Sequence, residues 1–395
     1  MSTFLPHWNN KNIRIFYLNT ILTNAWFVLP NWMFLYALYI SRQQIGMVEA
    51  IGIILGVLLE VPTGMISDVF GKKRTLIAGN AIIALSALVV ALAHSYPAFL
   101  IGNCLVFVGF AFNSGSFEAF AYDSLVDMGK QDDYAKVTAK STALALAASC
   151  VTIFVGGLLF ALNPTYPFYA WIITSLIASV LFFFAHEPHV DTLHITFADK
   201  AKKLKDGVFT IFSNKFTNII FPIIALAIIA KLNQGVVRQS MAMHFGFNGE
   251  TFAYILALSM IPALFIAGKF DVIRKKVGTT ALLTGLLITF SLLFVYGALT
   301  STQMFGLPYF IIYMAIERLA GQINTVAANE RIESHHRATA LSVIALIAFI
   351  PYVVLMFSFS DYTAMDKIHL LMFFFAGIAT LAGTYSFYTL IWNKK

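Results

Sequence analysis

Apolar residues along this chain neither alternate nor cluster on one helical face; they run on without interruption. Stretches long enough for a helix to cross the hydrocarbon core, about 20 residues, lie near 13–40, 45–67, 75–94, 97–126, 137–162, 167–185, 216–243, 249–270, 279–299, 304–329, 338–359 and 366–391. None shows the period-two alternation of a membrane β-barrel strand. The pattern predicts an all-α integral membrane protein with twelve transmembrane helices.

Composition narrows the class. Of 395 residues, 59% are hydrophobic and 11% charged, with a mean hydropathy of +0.79. Soluble domains carry about 25% charged residues, so a soluble enzyme, a nucleic-acid binder and a disordered scaffold are excluded. Cys104 and Cys150 fall inside apolar stretches and read as small core residues rather than a disulfide. The first stretch is longer than a signal-peptide core, carries Asn19, Asn24 and Asn31, and lacks a small-residue cleavage site. It is expected to stay as the first span.

Charge sets the orientation. With the N-terminus inside, 21 of the 26 Lys and Arg fall in cytoplasmic segments, Arg42 and Lys367 fall outside, and Lys231, Arg238 and Arg318 lie within spans. The bias follows the positive-inside rule, and one missed helix would destroy it. The basic pI of 9.2 is therefore a record of topology. A multi-pass protein of a bacterial inner membrane with both termini cytoplasmic is expected.

The polar stretch His186–Lys215 alternates basic residues with Phe197, Leu204, Phe209 and Phe212. It reads either as a linker with an amphipathic helix on the inner leaflet or as a plain solvated connector. It divides the chain into a six-helix bundle at 1–185, the linker at 186–215, and a second six-helix bundle at 216–395. Asp68-Val69-Phe70-Gly71-Lys72-Lys73 after span two recurs as Asp271-Val272-Ile273-Arg274-Lys275-Lys276 after span eight, and Gly115, Glu118, Ala121 and Asp123 echo weakly in Gly321, Asn324, Ala327 and Asn329. Two six-helix pseudo-repeats are expected.

The stretch Gly64-Met65-Ile66-Ser67-Asp68-Val69-Phe70-Gly71-Lys72-Lys73-Arg74 resembles the loop motif of the major facilitator superfamily, with Val69 at the first basic position. LLEVPTG (58–64), SGSFEAFAYDSL (114–125) and HHRATALS (335–342) are similar to a bacterial branch whose substrates are mostly unassigned. The resemblance implies the major facilitator fold and a cytoplasmic gate in which Asp68 latches the two halves, with Lys72 and Lys73 helping and Arg337 as a candidate partner. Gly64 suits close helix approach, Gly71 a tight turn, and Asp271 marks the repeat. Ala111 stands where the family's proton-driven drug exporters carry an arginine, and span five lacks their Gly-Pro-rich motif. Drug/proton antiport by that scheme is weakened.

Charged groups at mid-bilayer cost about 3 kcal/mol on insertion scales and are functional candidates. Helical spacing places Thr20, Asn24, Phe27 and Asn31 on one face of span one, beside Pro30; Ser114, Glu118 and Tyr122 on span four; Lys231, Gln234 and Arg238 on span seven; and Tyr313, Glu317, Gly321 and Asn324 on span ten. These are the four helices that, by the resemblance, line a central cavity. The Asn stripe also suits interhelical bonding, and Arg238 also suits snorkelling. Lys231 lies about 22 Å and Glu317 about 18 Å above the cytoplasmic ends of their spans at 1.5 Å per residue, so a charge pair is expected; Arg318 is an alternative cation. Proton-coupling candidates are Glu118, Glu317 and Glu60, with a structural hydrogen bond as the other reading of Glu118.

The sequence thus points to a secondary transporter working by alternating access, with no cofactor and no bound metal. Proton-coupled efflux of a small, partly apolar organic compound leads; uptake of a polar nutrient is the second reading. The expected partners are a small-molecule substrate, protons or another ion, and the lipid bilayer, with the chain acting as a monomer. A membrane-embedded transferase would need a nucleophile and base or metal ligands gathered at one interface, and His335-His336 resemble no such constellation. No Gly-x-x-x-x-Gly-Lys-Ser/Thr nucleotide loop occurs.

Overall fold

The computed structural model describes residues 5–188, 217–331, 334–364 and 366–392. All regular structure among them is helical. The expected amphipathic segment with Phe197, Leu204, Phe209 and Phe212 lies outside the described residues. The chain divides into two compact units, Met1–Thr196 and Phe197–Lys395.

In the first unit, span one is α1 (Lys11–Thr23) and the short α2 (Trp32–Tyr36), followed by α3 (Arg42–Phe70), α4 (Lys72–Ala91), α5 (Tyr96–Asn113), α6 (Ser116–Val126), α7 (Tyr134–Leu162) and α8 (Tyr166–Phe183). The second unit holds α9 (Thr217–Leu232), α10 (Gly235–His244), α11 (Gly249–Gly268), α12 (Phe270–Val277), α13 (Thr279–Leu299), α14 (Gln303–Arg331), α15 (Ser334–Ser358) and α16 (Ile368–Trp392). Each of the twelve apolar stretches coincides with a helix or a pair of helices. Among the described residues, eight helices are long and apolar enough to cross a membrane, or nine if the bent pair α9–α10 is one span. Span one is interrupted, Glu317 and Arg318 make span ten less apolar, and the apolar part of span eleven is the shorter Val343–Ser358.

Local chemistry sets the ends. Ser41 and Gln44 form a reciprocal capping box at the start of α3, and Asn248 and Thr251 do the same for α11. Pro97 and Pro167 sit in the first turns of α5 and α8, where a missing N–H costs nothing. Small residues let helices touch: a Cβ on Gly109 of α5 would stand 2.9 Å from the Gly79 carbonyl oxygen of α4.

The two units share one packing scheme. In the first, α4 packs on α5 and α8, α3 on α5, and α1 on α7 and α8; in the second, α13 packs on α16 and α14, α11 on α14, and α9 on α15 and α16. The register of the repeat differs from the Asp68/Asp271 alignment. Gly71 (φ 90°, ψ 151°) and Gly278 (φ 92°, ψ 151°) occupy the same left-handed turn before the third span of each unit. Matching them moves the second loop one helical turn along the chain. Asp271 therefore lies one turn before the true counterpart of Asp68, and the shared Asp-Val and Lys-Lys letters reflect similar loop composition. The same separation that links Gly71 to Gly278 also links Asn24 to Lys231 and Asp123 to Glu330.

Candidate functional site

The first span of each unit is broken at its middle. Helix α1 stops at Thr23, and residues 24–31 run through turns before α2. Asn24 and Asn31 therefore do not continue one helical face, which corrects the stripe expected from spacing. Irregular backbone at membrane depth survives only where protein or enclosed water satisfies its polar groups, and here protein does. Asn24 gives its amide N–H to the Thr20 carbonyl (2.9 Å) and accepts at its own carbonyl from the Ser149 hydroxyl (3.1 Å). Asn31, fully buried, donates to the Gly156 carbonyl of α7 (3.1 Å). A side chain at Gly156 would run into the Phe27 carbonyl, so only glycine lets the turn seat there.

Beside this break lies a cavity of about 310 Å³ lined by Thr23, Asn24, Trp26, Asn80, Ile83, Phe110, Asn113, Trp171 and Ser175. Trp26 meets Phe110 edge-on (5.7 Å between ring centres) and Trp171 at a tilt (6.3 Å). Asn113 donates to the Asn80 side chain (3.1 Å).

The matching break in the second unit falls between α9 and α10, which meet at a 56° bend. Gly235 takes a positive φ of 51° there. The Val236 N–H, freed by the break, donates to the Tyr352 hydroxyl (3.1 Å), and Asn233 donates to the Tyr309 hydroxyl (3.0 Å). Lys231, Gln234 and Arg238 are thus spread across a junction rather than stacked on one continuous helix. Lys231 Nζ donates to Gln234 Oε1 (3.2 Å), and Gln234 Nε2 donates to Glu317 Oε1 on α14 (2.6 Å). The expected direct pair is replaced by a relay through Gln234. The Lys231 ammonium also rests 4.3 Å from the centre of the Phe349 ring. Arg238 and Glu317 are both near enough to act on Lys231 and on the buried Tyr313. Arg238 Nε and Asn324 Oδ1 are enclosed without a hydrogen-bond partner among the described residues.

At the loop before the third span of each unit an acid holds the start of that span. Lys72 pairs with Asp123 of α6 at 2.5 Å, the side chains 12% and 9% exposed. Arg274 pairs with Glu330 of α14 at 2.5 Å, and Glu330 also accepts from the Thr279 hydroxyl (3.1 Å). Glu187 adds a second clamp, its two carboxylate oxygens accepting the backbone N–H groups of Lys72 (2.6 Å) and Lys73 (3.0 Å) at the α4 N-terminus. Lys73 Nζ donates to the Phe183 carbonyl (3.0 Å).

Both gate lysines are thus engaged inside their own unit. Asp68 is exposed and Gly64 half-buried; Asp271, exposed, stands 3.7 Å from Arg274. Glu60, Glu118 and Tyr122 are exposed; Ser114 does not continue the Glu118 face as the spacing suggested, because the chain leaves α5 at an extended Ser114 and re-enters a helix after Gly115 at a φ of 72°. The enclosed, low-dielectric setting expected for Glu118 is not formed by its own unit. The Arg337 side chain lies outside what the structure describes. Asp123, Glu187 and Glu330 escaped the sequence reading as partners because acids at helix ends look like ordinary loop charge. Glu330 sits one residue past the Asn329 of the weak echo.

A bundle of apolar helices with two broken spans, each surrounded by buried polar groups, is a multi-pass membrane transporter rather than an enzyme. The chain belongs to the Major Facilitator Superfamily, whose family model matches residues 15–356. No curated protein matches the sequence. Among solved structures, the nucleoside transporter NupG superposes with a TM-score of 0.75 at 15% identity, covering 96% of this chain and 98% of its own. The POT family transporter PepTSo gives 0.71 at 13% identity with 99% of each chain covered. A bacterial homologue of the human lysosomal transporter Spinster, inward-facing and occupied, gives 0.69 at 13% identity, covering 96% and 95%. At these identities the likeness establishes the fold alone.

Proposed function

We propose that the protein is a proton-coupled carrier of a small organic solute working by alternating access. The observation that carries this reading is the Lys231–Gln234–Glu317 relay at the break in span seven. A carboxylate at membrane depth must be neutralised by a cation or by a proton. Gln234 holds the Lys231 cation close to Glu317; when the relay opens, a proton can take the place of that cation. Opening and closing the relay therefore couples protonation to rearrangement of α9, α10 and α14. Asn24, Asn31 and Asn324 would complete the pathway, and Asp68 would act at the cytoplasmic gate.

Two directions of transport fit. The aromatic lining of Trp26, Phe110 and Trp171 suits efflux of a partly apolar compound, and the amides of Asn24, Asn80 and Asn113 favour uptake of a polar one. Proteoliposomes with an imposed pH gradient, acid inside or acid outside, screened against dyes and metabolites, distinguish them. In the same vesicles Glu317→Gln should abolish accumulation driven by the gradient while keeping exchange of labelled for unlabelled solute. Full gradient-driven accumulation by E317Q would refute the coupling role.

A further inference from the structure

The cavity beside the span-one break is a half-open recess lined from α1, α4, α5 and α8 of one unit and carries unspent hydrogen-bonding capacity. Ser175 is 4% exposed and lines the cavity, yet its hydroxyl bonds no other described residue. The indole N–H groups of Trp26 and Trp171 and the side-chain carbonyl of Asn24 are likewise without partners among the described residues. Buried polar groups are normally satisfied, so a hydroxyl left open toward a cavity calls for an occupant. No titratable side chain is in the lining, so a charged guest would lose its hydration without compensation. Three aromatic rings face a guest that must also exchange hydrogen bonds with a hydroxyl and an amide. A volume of about 310 Å³ sits at the lower end of small-molecule pockets, roughly 300–1,000 Å³.

We infer that this cavity is a binding subsite for an uncharged, flat-ringed polar group, packed against the tilted pair Trp26 and Trp171, whose ring centres stand 6.3 Å apart, and hydrogen-bonded by Ser175 and Asn24. Water alone would satisfy the hydroxyl, but it would not account for the aromatic rings that line the same cavity. The inference deepens the transport reading by naming the class of solute group the first unit receives, and in that clause it rests on it. The cavity itself does not depend on Glu317.

Binding by purified full-length protein in nanodiscs, without any pH gradient, provides the test. Calorimetric titration with nicotinamide and uracil as neutral ring amides, nicotinate as the charged counterpart and cyclohexanecarboxamide as the non-aromatic one should give saturable binding of at least one neutral ring compound. It should be at least tenfold weaker for the counterparts. Ser175→Ala should weaken binding about two- to tenfold, the worth of one neutral hydrogen bond. Ser175→Leu, which fills the cavity, should abolish binding while the protein melts as the parent does. Trp26→Phe should keep part of the affinity. Absence of saturable binding by both neutral ring compounds, or affinity unchanged in S175L, overturns the inference. Binding is read without a gradient and coupling only with one, so a failed coupling experiment and a failed binding experiment remain separable.

Discussion

The pair Lys72–Asp123 offers the sharpest energetic test of the loop before α4. The Lys72 ammonium stands 2.5 Å from Asp123 Oδ2, with side chains 12% and 9% exposed. Coulomb attraction at that separation is on the order of 7 kcal/mol at an effective dielectric of about 20, and the cost of desolvating both groups offsets much of it. What remains decisive is the asymmetry. Removing one partner leaves a buried charge alone and costs about 3–5 kcal/mol, whereas replacing both with apolar side chains is near neutral.

Asp123→Asn and Lys72→Met should therefore each lower stability by that amount, and the K72M/D123L double variant should recover most of it. At roughly 2–4 °C per kcal/mol for a unit of this size, each single variant should melt roughly 10 °C below the parent. Cys104 and Cys150 are half-buried and not disulfide-bonded, so a thiol-reactive dye reports unfolding in detergent without an added label. Single variants melting within about 2 °C of the parent, or a double variant no better than the sum of the singles, would refute the argument.

Two further outcomes follow from other contacts. Gly156→Ala places a Cβ against the Phe27 carbonyl, so the turn of residues 24–31 must shift; overpacking of this kind costs about 1–3 kcal/mol, read as a lower melting temperature together with weaker binding of the neutral ring probes. Asp133, in the loop after α6, accepts from Lys136 (2.7 Å) and His7 (2.9 Å). The bond from Lys136, then that from His7, holds its carboxyl below the usual carboxylate range. Its contribution is therefore full above the ordinary aspartate value near 3.9 and is lost as pH falls through the lower folded value. Asp133→Asn should therefore lower the melting temperature by a constant amount above about pH 5 and flatten the acid limb below it.

The overall architecture was legible because membrane helices must be apolar throughout and their loops carry the orienting charge. Lys231 and Glu317 stood out as charges inside apolar runs. The breaks did not, since apolar residues fill the turn between Asn24 and Asn31, the second break is only the three residues Asn233–Gly235 inside a long apolar run, and a hydropathy pattern cannot register a bend. Asn233-Gln234-Gly235 held the signal, a polar pair before a glycine where a helix readily ends. Gln234 was read as one member of a stripe; its position between Lys231 and Glu317 depends on the 56° turn that no spacing rule supplies. The repeat register was misread for a related reason. Side-chain letters in a basic loop are interchangeable, whereas the left-handed backbone at Gly71 and Gly278 is not.

That register sets Asn24 of the first unit against Lys231 of the second, at corresponding breaks in corresponding helices. In an assembly of identical subunits, one substitution at such a position would appear in every copy at once, and a lysine suited to one role would be forced on the other. Two tandem copies in a single polypeptide remove that constraint. Each break can drift under its own selection, so the protein can hold a neutral amide at one and a cation at the other without compromise between them.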